Sequence, residues 1–313
     1  MNGDRTALTF AHVSDEHAKV KIHILPQSGQ EIMMADAWNK PRAKNYLLKY
    51  LITRRKSISD KPLKSTFIGV MEPFSGDKPL INALRKLPVS HGAAVEVLRP
   101  DATDVVMSDT TNIVKAIAGY QIETDAHAAV VTFGRGGATE RVFFSDGSYL
   151  KVRDRIFRAR AISGIVTHVD AKNRRMTIAL EGKIAGRIEP GTIAHFTNAL
   201  RKTEHPVHLA TIAANVLTLE TKDDLLVGKV HTVHNSADSL VTDTNLPFAP
   251  LYTGVTLLDA QFEPIGVLKS VSDHALKPAG NLKRIPADGA DVWISNIGVG
   301  DRMQIKARFE WER

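Results

Sequence analysis

The fold prediction rests on three apolar runs, Asn45-Tyr-Leu-Leu-Lys-Tyr-Leu-Ile-Thr-Arg-Arg55, Ser65-Thr-Phe-Ile-Gly-Val-Met-Glu-Pro73 and Pro79-Leu-Ile-Asn-Ala-Leu-Arg-Lys-Leu87. Clusters of Ser, Asp, Pro and Gly separate them at 57–64 and 73–78. Short apolar runs between such turn residues are typical of β-strands. Too many positions on both faces are apolar for an exposed sheet. We therefore predict consecutive strands of one antiparallel sheet, buried in the middle of a β-sandwich.

Further strands are predicted on both sides of this block. Residues 18–25 alternate with period two, and residues 31–35 are their predicted hairpin partner. Residues 128–133 and 140–144 form a predicted hairpin across Gly134-Arg-Gly-Gly137, and Asp146-Gly147 is the predicted two-residue turn of the next hairpin. Only residues 43–50 and 112–118 hint at short helices.

A second group of strands begins near residue 161. Hairpins are predicted for residues 162–169 with 175–180 and for 208–213 with 216–220. Strand signals then recur at roughly 8–12-residue spacing, which is typical of all-β proteins. We predict an all-β fold, with an antiparallel β-sandwich portion at residues 1–160 and a smaller antiparallel β domain at residues 161–313.

The composition limits the class of protein. The chain has 313 residues, of which 43% are hydrophobic and 24% charged, as in soluble globular proteins. No apolar run approaches the roughly 20 residues that span a bilayer, and the first ten residues lack the apolar core of a signal peptide. The absence of cysteine excludes disulfides, thiolate metal sites and cysteine nucleophiles.

The charge of the chain favours polyanionic partners. A net charge of +7 and a pI near 9.5 suit nucleic acid, acidic polysaccharide or an anionic surface. Aromatic residues make up only 6% of the chain, which disfavours base stacking on single-stranded nucleic acid. No recognition helix or RNA-binding signature is found either. We therefore expect neither nucleic acid nor a membrane as a partner.

Two blocks of the sequence carry a family resemblance. The first is Lys64-Ser-Thr-Phe-Ile-Gly-Val-Met-Glu-Pro-Phe-Ser-Gly-Asp-Lys-Pro-Leu-Ile81 with Ala94-Val-Glu-Val-Leu98 and Asp101-Ala-Thr-Asp-Val-Val-Met-Ser108. The second contains Tyr252-Thr-Gly-Val-Thr-Leu257 and Asp291-Val-Trp-Ile-Ser-Asn-Ile-Gly-Val-Gly-Asp-Arg-Met-Gln-Ile305. They resemble a strand–turn–strand segment and the closing segment of heparinase II/III-type polysaccharide lyases.

What this resemblance implies is mainly architecture. Such lyases have an α/α toroid, then a β-sandwich, then a small terminal β domain, and their catalytic Tyr and His residues lie upstream of the region that this chain resembles. The resemblance therefore implies no catalytic residue, metal ligand or cofactor here. It implies two partners, an acidic polysaccharide and an upstream or separately encoded toroid, and a periplasmic or extracellular location.

The candidate binding residues lie in or beside the basic stretch Lys151-Val-Arg-Asp-Arg-Ile-Phe-Arg-Ala-Arg160. On one continuous strand, Lys151, Arg153 and Arg155 share a face and form a stripe suited to sulfates or carboxylates. Tyr149 extends this face and could stack on a sugar ring. The alternative is an exposed strand whose arginines solvate the surface and prevent edge pairing.

Gly134-Arg-Gly-Gly137 has two readings. Its backbone amides could cradle a phosphate. It lacks the Lys-Ser/Thr of a P-loop and no helix pattern follows it, so we favour a hairpin turn. We favour a turn for Gly298-Val-Gly-Asp301 on the same grounds.

Histidines occur in two His-x-x-His pairs, His205 with His208 and His231 with His234. This spacing suits a metal only on a helix, where both rings share one face. We predict strand at 231–234, and Pro206 disfavours a helix at 205–208, so no metal site is predicted. Two interpretations stay open for His12 and Asp15-Glu16-His17 near the N-terminus: a cryptic metal site and a solvated terminus.

Three functional hypotheses follow. The leading one is the C-terminal, non-catalytic part of a heparinase II/III-like lyase, which supports the toroid and holds uronate-containing polysaccharide. The alternative is a stand-alone β module that binds acidic glycans. The third is a small complete lyase with its own Tyr/His site, which requires turnover by this chain alone.

Overall fold

The computed structural model describes residues 6–11, 17–38, 47–57, 60, 62–184, 187–244, 249–272 and 274–313. This part of the chain is all-β, which confirms the predicted fold class. It contains two short 3-10 helices, Ala118–Tyr120 and Ala249–Tyr252, and no α-helix. Within it, no helix is long and apolar enough to cross a membrane.

The strands of the first half, in chain order, are β1 (Thr6–Ala11), β2 (Ala18–Leu25), β3 (Gln30–Trp38), β4 (Leu47–Arg55), β5 (Ile68–Ser75), β6 (Ala83–Lys86), β7 (Ala93–Leu98), β8 (Ala102–Ser108), β9 (Lys115–Ile117), β10 (Ile122–Thr124), β11 (Ala128–Gly134), β12 (Thr139–Ser145), β13 (Tyr149–Val152) and β14 (Arg155–Arg158).

Those of the second half are β15 (Ile162–Asp170), β16 (Arg175–Leu180), β17 (Ile193–Thr197), β18 (Lys202–Pro206), β19 (Leu209–Ala213), β20 (Val216–Glu220), β21 (Leu226–Asn235), β22 (Leu240–Thr242), β23 (Thr256–Leu258), β24 (Pro264–Ser272), β25 (Ala275–Pro278), β26 (Asp291–Ser295), β27 (Arg302–Ile305) and β28 (Arg308–Glu312).

Contacts group the chain into two compact units, Met1–Ala159 with Arg308–Arg313, and Arg160–Ala307. The last strand, β28, pairs with β12 of the first unit. The sequence pattern alone places this strand in the second of the two predicted domains, because local pattern does not reveal the partner of a terminal strand.

The first unit contains a β-sandwich. A four-stranded sheet in the order β14-β13-β10-β9 packs on a six-stranded sheet in the order β28-β12-β11-β8-β7-β6. Alternate side chains of each strand face the core, and Val142, Phe144 and Leu150 are fully buried there. Phe309 of β28 stacks on Phe144 with ring centroids 5.5 Å apart, so the terminal strand completes this core.

A third sheet covers part of the other face of the six-stranded sheet. Its order is β1-β2-β5, and it packs through a small cluster that includes Leu25, Leu84 and Val97. A buried hydrogen bond lies on the same side: His23 Nε2 is 2.8 Å from Glu72 Oε2. The remaining two strands, β3 and β4, form a separate two-stranded ribbon.

The second unit has two sheets. A seven-stranded sheet runs β18-β17-β27-β15-β16-β20-β19, and a closed six-stranded barrel runs β21-β22-β25-β24-β23-β26. Val230, Leu257 and Ile294 are fully buried in the core of the barrel. Gly298–Asp301 is the turn that leads from β26 in the barrel to β27 in the open sheet, with Asp301 Oδ2 accepting a hydrogen bond from the Gly298 N–H (2.9 Å).

Several predicted hairpins are confirmed. These are β11 with β12, β15 with β16 and β19 with β20. In each case a short turn joins two strongly alternating runs, so local pattern suffices to identify both strands and their pairing.

The prediction for residues 45–89 is right about strands and wrong about their sheet. β4, β5 and β6 lie in three different sheets, and the buried middle of the sandwich is formed further along by β7, β8 and β11. β4 pairs over its whole length with β3, so residues 31–35 are not the partner of β2. Apolar pattern identifies a strand, but the long-range partner depends on which cores the rest of the chain offers.

Two further predictions are wrong. Asp146-Gly147 does not close a hairpin, because β12 lies in the six-stranded sheet and β13 in the four-stranded one, so the chain crosses between the layers of the sandwich. Residues 112–118, predicted to hint at a short helix, instead contain strand β9 and the first residue of a 3-10 helix. Residues 47–50, the described part of the other predicted helix at 43–50, lie in strand β4. Residues 43–46 lie outside the described residues.

Candidate anion-binding site

Tyr149 and Lys151 lie on β13 and point away from the sandwich core. Their neighbours Leu150 and Val152 are buried in it, so the alternation of a strand turns Tyr149 and Lys151 outward. The Tyr149 hydroxyl donates a hydrogen bond to Glu123 Oε1 (2.7 Å). Burial, and then this bond, raise the pKa of Tyr149 to about 12. Tyr149 is therefore a protonated donor at neutral pH.

Arg153 and Arg155 do not continue this face. β13 ends at Val152, Arg153 adopts a left-handed turn conformation with φ 57°, and β14 returns antiparallel. Arg155 pairs with Val152 and so lies on the opposite face from Lys151. The predicted four-residue stripe on one strand is therefore wrong, because the chain reverses at Arg153-Asp154. The binding role of the four residues stays a prediction.

Arg155 packs on aromatic rings. Its guanidinium carbon lies 4.9 Å from the Phe157 ring centroid and 4.4 Å from that of Trp311. The residue that the hairpin places beside Tyr149 is Arg158, its cross-strand partner. Sequence reasoning missed this pairing because a turn Arg-Asp lacks the Gly or Asn that marks most two-residue hairpins.

Arg153 instead contributes to a pocket, called here the arginine pocket. It has a volume of about 360 Å³ and is lined by Arg135, Arg153, Tyr120, Gly134 and Gly137, together with neighbouring residues of the first unit. No Asp or Glu occurs in this lining. Two cationic groups thus face one small pocket without a carboxylate in its wall.

The backbone fixes both arginines in place. Arg135 Nε donates to the Pro100 carbonyl (2.9 Å), and Arg153 Nη2 donates to the Gly137 carbonyl (2.9 Å). The guanidinium of Arg153 also lies 5.6 Å from the Phe133 ring centroid. A guanidinium has five N–H groups, so these single bonds leave further donors for a ligand. Planar forks of this kind match carboxylate and sulfate oxygens.

The glycine turn forms part of the pocket wall. Gly137 has φ 72°, a conformation that favours glycine, and a Cβ added at Gly136 would meet no heavy atom within 4 Å. The turn closes β11 and β12, with the Gly137 N–H donating to the Gly134 carbonyl (2.8 Å). The predicted hairpin turn is confirmed, and the arginine pocket lies beside it.

Tyr120 forms one wall of the arginine pocket. Its ring stacks on Phe133 with centroids 5.4 Å apart, and its hydroxyl donates to Glu96. Burial, and then the bond to Glu96, raise the pKa of Tyr120 to about 12. A tyrosine in this state does not serve as a base at neutral pH.

A larger cleft in the first unit has a different character. It measures about 790 Å³ and has Val97, Val106 and Val130 in its floor. Three acidic and three basic residues also line it, and Arg99 Nε lies 2.9 Å from Asp104 Oδ2. Because its charges are balanced and partly paired, it has no preference for anions.

The pair His231 and His234 lies on strand β21, as predicted. The rings contact different carboxylates: His231 Nδ1 is 3.3 Å from Asp291, and His234 Nδ1 is 3.4 Å from Asp288. The two histidines therefore contact two separate surface carboxylates.

His205 is buried on β18, and His208 lies exposed beyond the end of that strand. Burial lowers the pKa of His205, although Asp223 lies 3.3 Å away and opposes this effect. Among the residues that the structure describes, no group of three or more His, Asp or Glu side chains is arranged to hold a metal ion. His12, Asp15 and Glu16 lie outside those residues.

Comparisons with known proteins add no family. No protein-family model matches the chain. No curated protein matches it significantly either. The resemblance to heparinase II/III-type lyases thus stays a prediction from the two sequence blocks.

Proposed function

We propose that the chain is a non-catalytic β module that binds acidic polysaccharide through the arginine pocket. The observation that carries this proposal is the pair Arg135 and Arg153, which line one pocket that has no carboxylate in its wall. Guanidinium groups bind carboxylates and sulfates through charge-assisted hydrogen bonds. These are the anionic groups of uronate-containing and sulfated glycans.

The size of the pocket suits one charged unit of a polymer. A volume of about 360 Å³ lies at the lower end of small-molecule sites. The outward face of β13 carries a further cation, Lys151, two residues before Arg153 in the chain. Together with Arg158, Lys151 offers further positive charge to adjacent units of the glycan. The net charge of +7 raises the rate at which a polyanion encounters the chain.

The lyase resemblance supplies the biological setting of the proposal. On this reading the chain is the C-terminal, supporting part of a heparinase II/III-like lyase, and an α/α toroid is its catalytic partner. The similarity of the two sequence blocks supports it. The stand-alone glycan-binding module is the alternative, and both readings use the same anion site.

The test is calorimetric titration of the full chain with a heparin-derived tetrasaccharide at low salt. Hydrogen bonds to charged groups contribute about 1.5–3 kcal/mol each. Losing one such bond from each arginine in the variant Arg135→Gln/Arg153→Gln therefore costs at least about 3 kcal/mol, or roughly 100-fold in affinity. The control Arg174→Gln/Arg187→Gln removes the same charge from the second unit and should bind within a few-fold of the wild type.

Two outcomes would contradict the proposal. Equal losses of affinity in both double variants would show that net charge, and not the pocket, determines binding. The formation of unsaturated uronate, measured by ultraviolet absorbance with the chain alone, would show that it is catalytic.

A further inference from the structure

The ribbon β3–β4 is a two-stranded sheet with no third strand in the described part of the chain. Its strands pair over nine positions, from Gln30 with Arg55 to Trp38 with Leu47. A two-stranded sheet is only marginally stable in water unless another surface covers it. The ribbon is therefore a segment that needs a partner.

Both faces of the ribbon are apolar. Cross-strand neighbours share a face, so Met34 with Leu51 lies on one side and Met33 with Ile52 on the other. Met34 is 57% exposed and Ile52 is 41% exposed. Strands that are apolar on both faces are usually covered on both sides.

Four charged residues of the ribbon are paired within it. Lys49 Nζ lies 2.5 Å from Asp36, and Arg54 Nε lies 2.6 Å from Glu31. These pairs link opposite strands, so they leave no unbalanced cluster to attract a polyanion. The partner that fits is an apolar protein surface.

The same chain exposes such a surface on the sheet β1-β2-β5. His23 and Glu72 face inward and are buried, whereas Val20 and Met71 lie on the opposite face of the sheet and are exposed. In register across the three strands, the outward positions form two apolar rows, Leu8-Ile22-Met71 and Phe10-Val20-Pro73. This set of six residues is called here the outer face.

The outer face is open to contact. Met71 is 71% exposed and Val20 is 37% exposed. Phe10, Val20 and Pro73 also line a hollow of about 620 Å³. Apolar side chains grouped in this way usually mark a protein interface.

We propose that the ribbon of one copy of this chain packs on the outer face of a second copy. Nine-residue strands make a ribbon roughly 30 Å long and about 10 Å wide, or about 300 Å² per face. If each copy gives one ribbon and receives one, the two contacts bury on the order of 1,200 Å² in total. That value is the lower limit for a specific interface. The proposal is independent of the arginine pocket.

The absence of cysteine makes a cross-linking test clean. A full chain with Tyr50→Cys, on the ribbon, is mixed with one carrying Met71→Cys, on the outer face, and treated with a short bis-maleimide. The expected product is a dimer with one chain of each kind. The control pairs Tyr50→Cys with Val299→Cys, at a residue that is 53% exposed on a turn of the second unit, and should give only background.

Sedimentation of the uncross-linked chains gives an independent readout. We expect a concentration-dependent dimer for the wild type, and a monomer at the same concentrations for Ile52→Glu, which lies on the face of the ribbon that also carries Tyr50. A wild type that stays monomeric would overturn the proposal. So would a dimer that cross-links equally through Val299→Cys, or a double variant Tyr50→Cys/Met71→Cys that cross-links only within one chain.

Discussion

The structure gives Arg155 a different role from the one that its position in the sequence suggests. As part of a basic stripe, Arg155 would bind glycan and contribute little to stability. In the structure its guanidinium lies 4.9 Å from the ring centroid of Phe157 and 4.4 Å from that of Trp311. Each cation–π contact at an exposed site is worth about 0.5–1 kcal/mol. We therefore expect Arg155→Ala to lower the free energy of unfolding by about 1–2 kcal/mol.

The assay is thermal and urea unfolding of the full chain. In a domain of this size, 1 kcal/mol corresponds to a shift in Tm of roughly 2–4 °C. The expected shift for Arg155→Ala is thus about 2–8 °C. The control Arg158→Ala removes an arginine from the outward face of the same hairpin and should change stability by less than about 0.5 kcal/mol.

A double-mutant cycle identifies the contact. If Arg155 acts through Trp311, the effects of Arg155→Ala and Trp311→Leu should be non-additive by at least about 0.5 kcal/mol. Glycan affinity should not change in Arg155→Ala. An unchanged Tm together with a large loss of heparin affinity would refute this reasoning and would show that Arg155 binds the glycan.

Two further predictions concern the first unit. Burial raises the pKa of Glu72, but hydrogen bonds from His23 and from the Ile81 and Leu80 N–H groups outweigh this effect, so the pKa lies below its ordinary value. A carboxyl with a lowered pKa stabilises the fold above its unfolded pKa of about 4.3 and loses this effect as the pH falls through the lowered value. Urea titrations should thus show Glu72→Gln less stable than the wild type by about 1–3 kcal/mol at pH 7, and this difference should shrink below about pH 4. A difference that stays constant with pH would contradict the lowered pKa of Glu72. Gly147→Ala should lower the free energy of unfolding by about 2 kcal/mol or more, because a Cβ at this position would lie 2.4 Å from the Ala126 Cα. The control Gly119→Ala, whose Cβ would have no heavy atom within 4 Å, should be nearly neutral. Equal Tm values for the two variants would contradict the close approach at Gly147.

Local sequence pattern predicted much of the secondary structure. The class is all-β, and hairpins such as β15–β16 follow from alternation and a short turn. What it could not supply is the partner of each strand. The turn at Asp146-Gly147 has the residues of a hairpin, yet it leads from one sheet of the sandwich to the other. That choice depends on β10, which pairs with β13 and buries Leu150 and Val152 in a shared core.

The candidate site shows the same limit. Arg153 was singled out from the sequence, but for a strand face on which it does not lie. Arg135 and the glycine turn were noted separately, as a hairpin. The arginine pocket forms because the turn after β13 and the turn after β11 lie at the same end of the sandwich, a relation that no local pattern contains.

The most direct measurement of the central claim is modification of the full chain by phenylglyoxal, which reacts with arginine, mapped by mass spectrometry with and without a heparin-derived tetrasaccharide. We expect the ligand to slow the modification of Arg135 and Arg153, while Arg174 and Arg187 react at unchanged rates. If Arg135 and Arg153 react equally fast with and without the ligand, or if protection is found only at other arginines, the arginine pocket is not the anion-binding site.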